Sequence, residues 1–213
     1  MTDVRSRDAL WDAIRTERAA LADDLADLAP DEWARPSLCG DWTVEEVVAH
    51  LTAAASIGRW AWIRSMLGAR YDPDVHNARR LAEHRGATPA ETLARFRAVV
   101  DRDTAASGHT PAWLGEVVVH AQDIRRPLGI EHTYPVESLT AVATFFAARN
   151  FAVASGTVSK GLRLEATDGP FTAGEGPLVS GPTLALVMVM AGRRAYLDDL
   201  TGPGVTTITQ RLG

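Results

Sequence analysis

The sequence predicts a mainly α protein. An antiparallel helical bundle is expected over residues 1–155, followed by a small α+β unit over residues 156–213. Three observations predict it. Apolar residues recur at helical spacing through most of the first part. Capping signals, Thr43-Val44-Glu45-Glu46 and Thr88-Pro89-Ala90-Glu91, punctuate that stretch. After Gly156 the texture changes to alternation, as in Leu162-Arg163-Leu164, and to glycine-rich turns.

The elements follow in order. Residues 7–28 make an amphipathic helix through Leu10, Trp11, Ile14, Leu21, Leu25 and Leu28, stopped by Pro30. Residues 31–42 are rich in breakers and read as a loop. A second helix begins at the N-cap Thr43 and runs to about Leu67, before Gly68. Residues 74–85 read as a polar, lid-like helix carrying Arg79, Arg80, His84 and Arg85, closed by Gly86. A helix with Leu93, Phe96, Val99 and Val100 follows the Thr88 cap. Thr110-Pro111 opens the next helix, and Pro127 with Gly129 closes it. Pro135 opens a long apolar helix reaching about Ser155. A strand is expected at 162–167, a turn at Asp168-Gly169-Pro170, and a hairpin-like stretch over 171–181. Residues 182–191 form a short buried helix ended by Gly192, and 203–211 a last short helix.

Composition narrows the function classes. The net charge of −5 offers no basic stripe for nucleic acid. Arg125 and Arg126 are only a pair, placed where they complement a helix dipole. The single cysteine, Cys39, excludes an internal disulfide and cysteine-rich zinc sites. The N-terminus lacks the apolar stretch of an export signal, and apolar runs are too short to span a membrane. A cytoplasmic protein is expected, without nucleic-acid or membrane partners. Bundles with exposed apolar edges often dimerise, which leaves a homodimer open.

The chemistry concentrates in Glu116-Val117-Val118-Val119-His120. Glu116 and His120 share one helix face. Apolar residues surround them on all sides, which implies a buried helix. A buried carboxylate and imidazole must be neutralised, paired or bound to a metal. Such a pair alone more often makes a simple hydrogen bond. His50, within the apolar run Val47-Val48-Ala49-His50-Leu51, raises the specificity, because bundle cofactor sites are built from inward side chains on facing helices. His50, Glu116 and His120 form a set of two histidines and one carboxylate. That set leaves coordination positions open, as catalytic metals require. Zinc is the first choice of divalent metal, and iron, manganese or nickel would accept the same ligands.

The neighbouring residues carry weaker readings. Asp123 either orients an imidazole or is a helix-end residue without a role, the second being preferred on sequence alone. His76 and His84 are expected to be solvated, and His109 and His132 to sit in loops. No base can be placed beside Ser37 or Cys39, so Cys39 is assigned to packing.

Two stretches together resemble a known family. Asp41-Trp42-Thr43 leading to His50-Leu51, and Glu116 through His120 and Asp123 to Arg125-Arg126-Pro127, resemble the mycothiol-dependent maleylpyruvate isomerase family, a branch of the DinB/YfiT-like metalloenzymes. The resemblance spans nearly the whole chain. It implies a DinB-like four-helix bundle holding a divalent metal, usually zinc, through His50, Glu116 and His120. It also implies a small C-terminal α+β domain whose arginine matters for catalysis. Arg193, in Gly192-Arg193-Arg194, is the best matching position, although two arginines after a buried helix also complement its dipole. The expected function is a metal-dependent isomerase or transferase. It would use a low-molecular-weight thiol of the mycothiol type on a small electrophilic, carboxylate-bearing substrate. The alternatives are a hydrolase with metal-activated water and a non-enzymatic, metal- or ligand-binding stress protein.

Overall fold

The computed structural model describes residues 6–70 and 72–213. Residues 1–5, where the absence of an export signal was expected, lie outside them. Mainly helical structure is what the periodicity predicts, with a small sheet near the C-terminus. The chain divides into two compact units. One is Trp11–Glu131, and the other is His132–Gly213 with the chain up to Leu10. By internal packing the division falls after Glu131, whereas the change in sequence texture lies at residue 155.

The first unit is helical throughout. Helix α1 (Arg7–Ala26) contributes Ile14, Leu21 and Leu25 to its core. A short 3-10 turn, Glu32–Ala34, and a bridge between Pro36 and Thr43 order the loop that follows. Helix α2 (Val44–Ser56) starts where the sequence says it must. The Thr43 hydroxyl accepts from the Glu46 amide, and the Glu46 carboxylate accepts from the Thr43 amide. The predicted long helix to Leu67 is two helices. Ile57 is extended and Gly58 caps a new helix, α3 (Arg59–Gly68), so the backbone turns at the glycine.

Helix α4 (Pro73–His84) is no detached lid. It packs along α2 and touches α3, which buries His76 and Leu81. Helix α5 (Pro89–Arg97) has half of its predicted box. The Thr88 hydroxyl accepts from the Glu91 amide, but the Glu91 carboxylate takes the Ala87 amide instead. Helix α6 (Thr110–Leu128) ends at Gly129, whose φ of 70° gives the left-handed cap. Helix α2 touches α4, α5 and α6, and so stands at the centre of this unit.

The second unit begins with α7 (Val136–Ala148), shorter than the helix predicted to reach Ser155. Polar side chains stop it. Ser155 Oγ donates to the Arg149 carbonyl, and Asn150 accepts from the Thr157 amide, so local bonds replace helical ones. Helix α8 (Ser155–Ser159) follows, then β1 (Arg163–Ala166), β2 (Thr172–Ala173) and β3 (Leu178–Gly181). The expected hairpin over 171–181 does not pair with itself. The strand order is β2-β1-β3, with β2 antiparallel and β3 parallel to β1. Gly174 and Gly176 let the chain cross the start of β1. Both have positive φ, and a Cβ would meet the Leu162 carbonyl oxygen at 2.2 Å or the Gly161 one at 2.4 Å. Helix α9 (Thr183–Met190) is buried almost entirely and packs on α7 and both longer strands. A 3-10 segment, Arg194–Asp199, and α10 (Val205–Arg211) complete the chain.

Candidate metal centre

The centre is built on α2 and α6 in the helical unit. Helix α6 buries Leu114, Val117, Val118, Val119, Ala121 and Ile124, as its apolar circumference predicts. Its polar residues therefore have little water to turn to. His50 leaves α2 beside the buried Val47, Val48 and Leu51.

The three predicted residues converge. His50 Nε2 lies 2.7 Å from Glu116 Oε1, and His120 Nε2 lies 3.7 Å from the same oxygen. The two imidazole rings stand 4.8 Å apart, edge to face. One donor atom from each residue falls within 4.8 Å of the others. Side-chain exposures of 16%, 19% and 11% for His50, Glu116 and His120 leave a partly open approach. Two ring nitrogens and one carboxylate oxygen suit zinc and the first-row divalent metals. Three protein donors fall short of a closed tetrahedral shell.

Asp123 corrects the preferred sequence reading. It is wholly buried, and its Oδ2 accepts from His120 Nδ1 at 2.9 Å. The bond fixes the ring and leaves Nε2 facing Glu116 and His50, the arrangement by which a carboxylate orients a metal-binding histidine. Burial opposes charge on His120. The Asp123 carboxylate, with Cys39 and Glu116, outweighs burial and raises the ring to about 10. A divalent cation at Nε2 would take the place of that proton.

The loop before α2 reaches the same spot. The Leu38 amide donates to the Asp123 carbonyl, and the Ser37 amide to the Trp42 carbonyl. These bonds set Cys39 beside His120 and Asp123, with one ligand atom of each within 4.8 Å of the others. Trp42 lies 4.9 Å from the His50 ring at 47°. The breaker-rich loop was legible in sequence, but its attachment to α6 was not.

The remaining histidines divide. His76, expected to be solvated, is buried, shares a hydrogen bond between Nδ1 and Ser65 Oγ at 2.9 Å, and meets Trp62 edge to face. Burial first, then Arg80 and His50, lowers its pKa. Its burial follows from α4 packing on α2, which a polar sequence concealed. His84 bonds Arg80, and His109 is the N-cap of α6. Arg193 belongs to the C-terminal unit, at the start of the 3-10 segment, where its Nη1 donates to the Ala191 carbonyl at 2.7 Å.

Comparison with known proteins bears on this fold. Residues 14–113 match the model of the mycothiol maleylpyruvate isomerase N-terminal domain. That span includes His50 and stops just short of Glu116. A crystal structure of the mycothiol-dependent maleylpyruvate isomerase is similar across 93% of both chains, with a TM-score of 0.65 and 20% identity. The crystal structure of a histidine-to-alanine mutant of that isomerase gives 0.66 and 19% over the same share of each chain. Likeness at such identity speaks for the fold. Among curated proteins none matches. Among the described residues, no helix is long and apolar enough to cross a membrane. Over residues 14–113 the chain thus resembles the mycothiol maleylpyruvate isomerase N-terminal domain, and its fold is similar to that of the mycothiol-dependent maleylpyruvate isomerase.

Proposed function

We propose that the protein is a metal-dependent enzyme that uses a low-molecular-weight thiol, of the mycothiol type, on a small electrophilic substrate bearing a carboxylate. The observation that carries this reading is the convergence of His50, Glu116 and His120 on one point, in a chain whose N-terminal part matches the mycothiol isomerase domain. Zinc, or iron, manganese or nickel in its place, would lower the pKa of a sulfur held in the open position and so favour thiolate near neutral pH.

The chain's own residues define the rest. His50, Glu116 and His120 supply the donors. Asp123 holds His120 in the tautomer that presents Nε2. Trp42 lies against one side of the His50 ring, at 4.9 Å between centroids. Addition of the thiolate to an activated carbon–carbon double bond turns it into a single bond, which rotates. Expulsion of the same thiolate restores the double bond in the other geometry, and the thiol is not consumed. Arg193 is the candidate for holding a substrate carboxylate by a bidentate pair.

Maleylpyruvate with mycothiol is the first pair to test. Turnover is expected to require the thiol, to vanish on chelation and to return with zinc. The His50→Ala protein is expected to lose at least about 100-fold in activity. Thiol-independent turnover, or full activity in metal-free His50→Ala protein, would exclude this reading.

A further inference from the structure

Helix α1 carries a buried cation that none of the preceding chemistry uses. Arg18 is 4% exposed and shares the core face of α1 with Ile14, Leu21 and Leu25. Its Nη1 donates to the carbonyl oxygens of Arg102 at 2.8 Å and Val99 at 3.5 Å. Among the described residues, Nε and Nη2 have no hydrogen-bond partner, and Arg18 makes no ion pair. Asp103, the nearby acid, is taken by Arg15. A buried cation that no carboxylate contacts directly is costly to keep.

The helix register places this cation beside the centre. Asp24 of α1 pairs with the buried Arg125 of α6 at 2.7 Å. Further up α1, Arg15 reaches Asp103, and Arg18 reaches the carbonyl groups just ahead of it. Were α1 and α6 opposed, Thr110 would lie on the order of 35 Å from Asp103 along the axis. The link between those residues spans at most about 25 Å when fully extended. The two helices therefore run in the same direction. In the register set by Asp24 and Arg125, Arg18 is offset along the helix axis by no more than about one turn from both Glu116 and His120. Burial lowers the Arg18 pKa to about 10 against the opposing pull of Asp103 and Glu116, which leaves the guanidinium charged at neutral pH.

We propose that Arg18 is an anion-holding residue of the metal pocket, where its free guanidinium edge takes a carboxylate of the small substrate. The assignment rests on the reading of this centre as the reaction site. It places one carboxylate anchor in the helical unit itself, independent of Arg193. Nη1 stays on the carbonyl oxygens while Nε and Nη2 face the ligand, so the cation is held in position before the anion arrives.

The test uses the zinc-treated full chain, with maleate as the probe and maleamide as its uncharged counterpart. Calorimetric titrations are made on the wild type, Arg18→Met and Arg18→Lys, and zinc content is measured on the same samples. Maleate is expected to bind the wild type, and Arg18→Met to weaken it about 10- to 100-fold. Arg18→Lys is expected to fall between, because an ammonium group keeps the charge but not the fork. Maleamide binding should not respond to either substitution, a pattern that a purely structural role for Arg18 does not produce. Equal maleate affinity in all three proteins, or no maleate binding by the wild type, would overturn the assignment. If Arg18→Met does not fold, Arg18→Lys decides alone, and unchanged affinity in it overturns the assignment. Arg18-dependent binding in protein that retains no zinc would uphold the anion site and remove the metal reading instead.

Discussion

At the scale of single residues, the centre depends on a buried carboxylate that sequence alone undervalued. Asp123 looked like a residue at a helix end, yet it is wholly buried and bonded to His120 Nδ1. Replacing it by Asn removes the charge but keeps the shape, and an amide can present its nitrogen to the ring and favour the wrong tautomer. Asp123→Asn is expected to weaken zinc binding about 10- to 100-fold, measured by competition with a chromophoric chelator. Affinity equal to the wild type would mean that Asp123 serves only the fold. His50, Glu116 and His120 were legible because helical spacing puts chemistry-bearing residues on buried faces. The approach of Cys39 and Trp42 to the centre and the burial of His76 were not, because each depends on a tertiary contact. For Cys39 and Trp42 it is the Leu38 amide on the Asp123 carbonyl, and for His76 the packing of α4 on α2.

Among the elements, local signals fixed helix starts better than helix ends. The Thr43 box is complete, and it sets where α2 begins and hence which face His50 occupies. Thr43→Ala removes the acceptor for the Glu46 amide and should destabilise the helical unit by about 1 kcal/mol, read from chemical denaturation with an unchanged slope. A loss below a few tenths of that would show that tertiary packing alone holds the start of α2. The ends were harder to place. The break at Ile57-Gly58 splits a pattern that remains helical on both sides. The end of α7 is decided by bonds from Asn150 and Ser155 that compete with the helix. The sheet was the least legible element. Strand β1 alternates clearly, but its pairing with β2 on one side and β3 on the other depends on the crossing at Gly174 and Gly176. Turn residues in a sequence do not distinguish that crossing from a hairpin.

For the whole molecule, mainly helical structure with a small C-terminal sheet follows from periodicity, and two solved isomerase structures share the fold over nearly the full chain. The division into compact units falls after Glu131, so α7 belongs with the sheet and α9 and not with the helices before it. Periodicity could not reveal this, since α7 is as apolar as the bundle helices. Its partner, α9, is recognised only once both are folded. All three candidate donors belong to the helical unit, so the candidate centre lies wholly within residues 11–131. The central claim is that these donors hold one divalent cation together. Elemental analysis of untagged wild-type and Glu116→Ala protein, each with its helix content checked by circular dichroism, tests it most directly. About one divalent metal ion per chain is expected in the wild type and almost none in folded Glu116→Ala, whose two remaining imidazoles make an incomplete set. A metal-free wild type after exposure to zinc, or the same metal content in both proteins, would contradict the account.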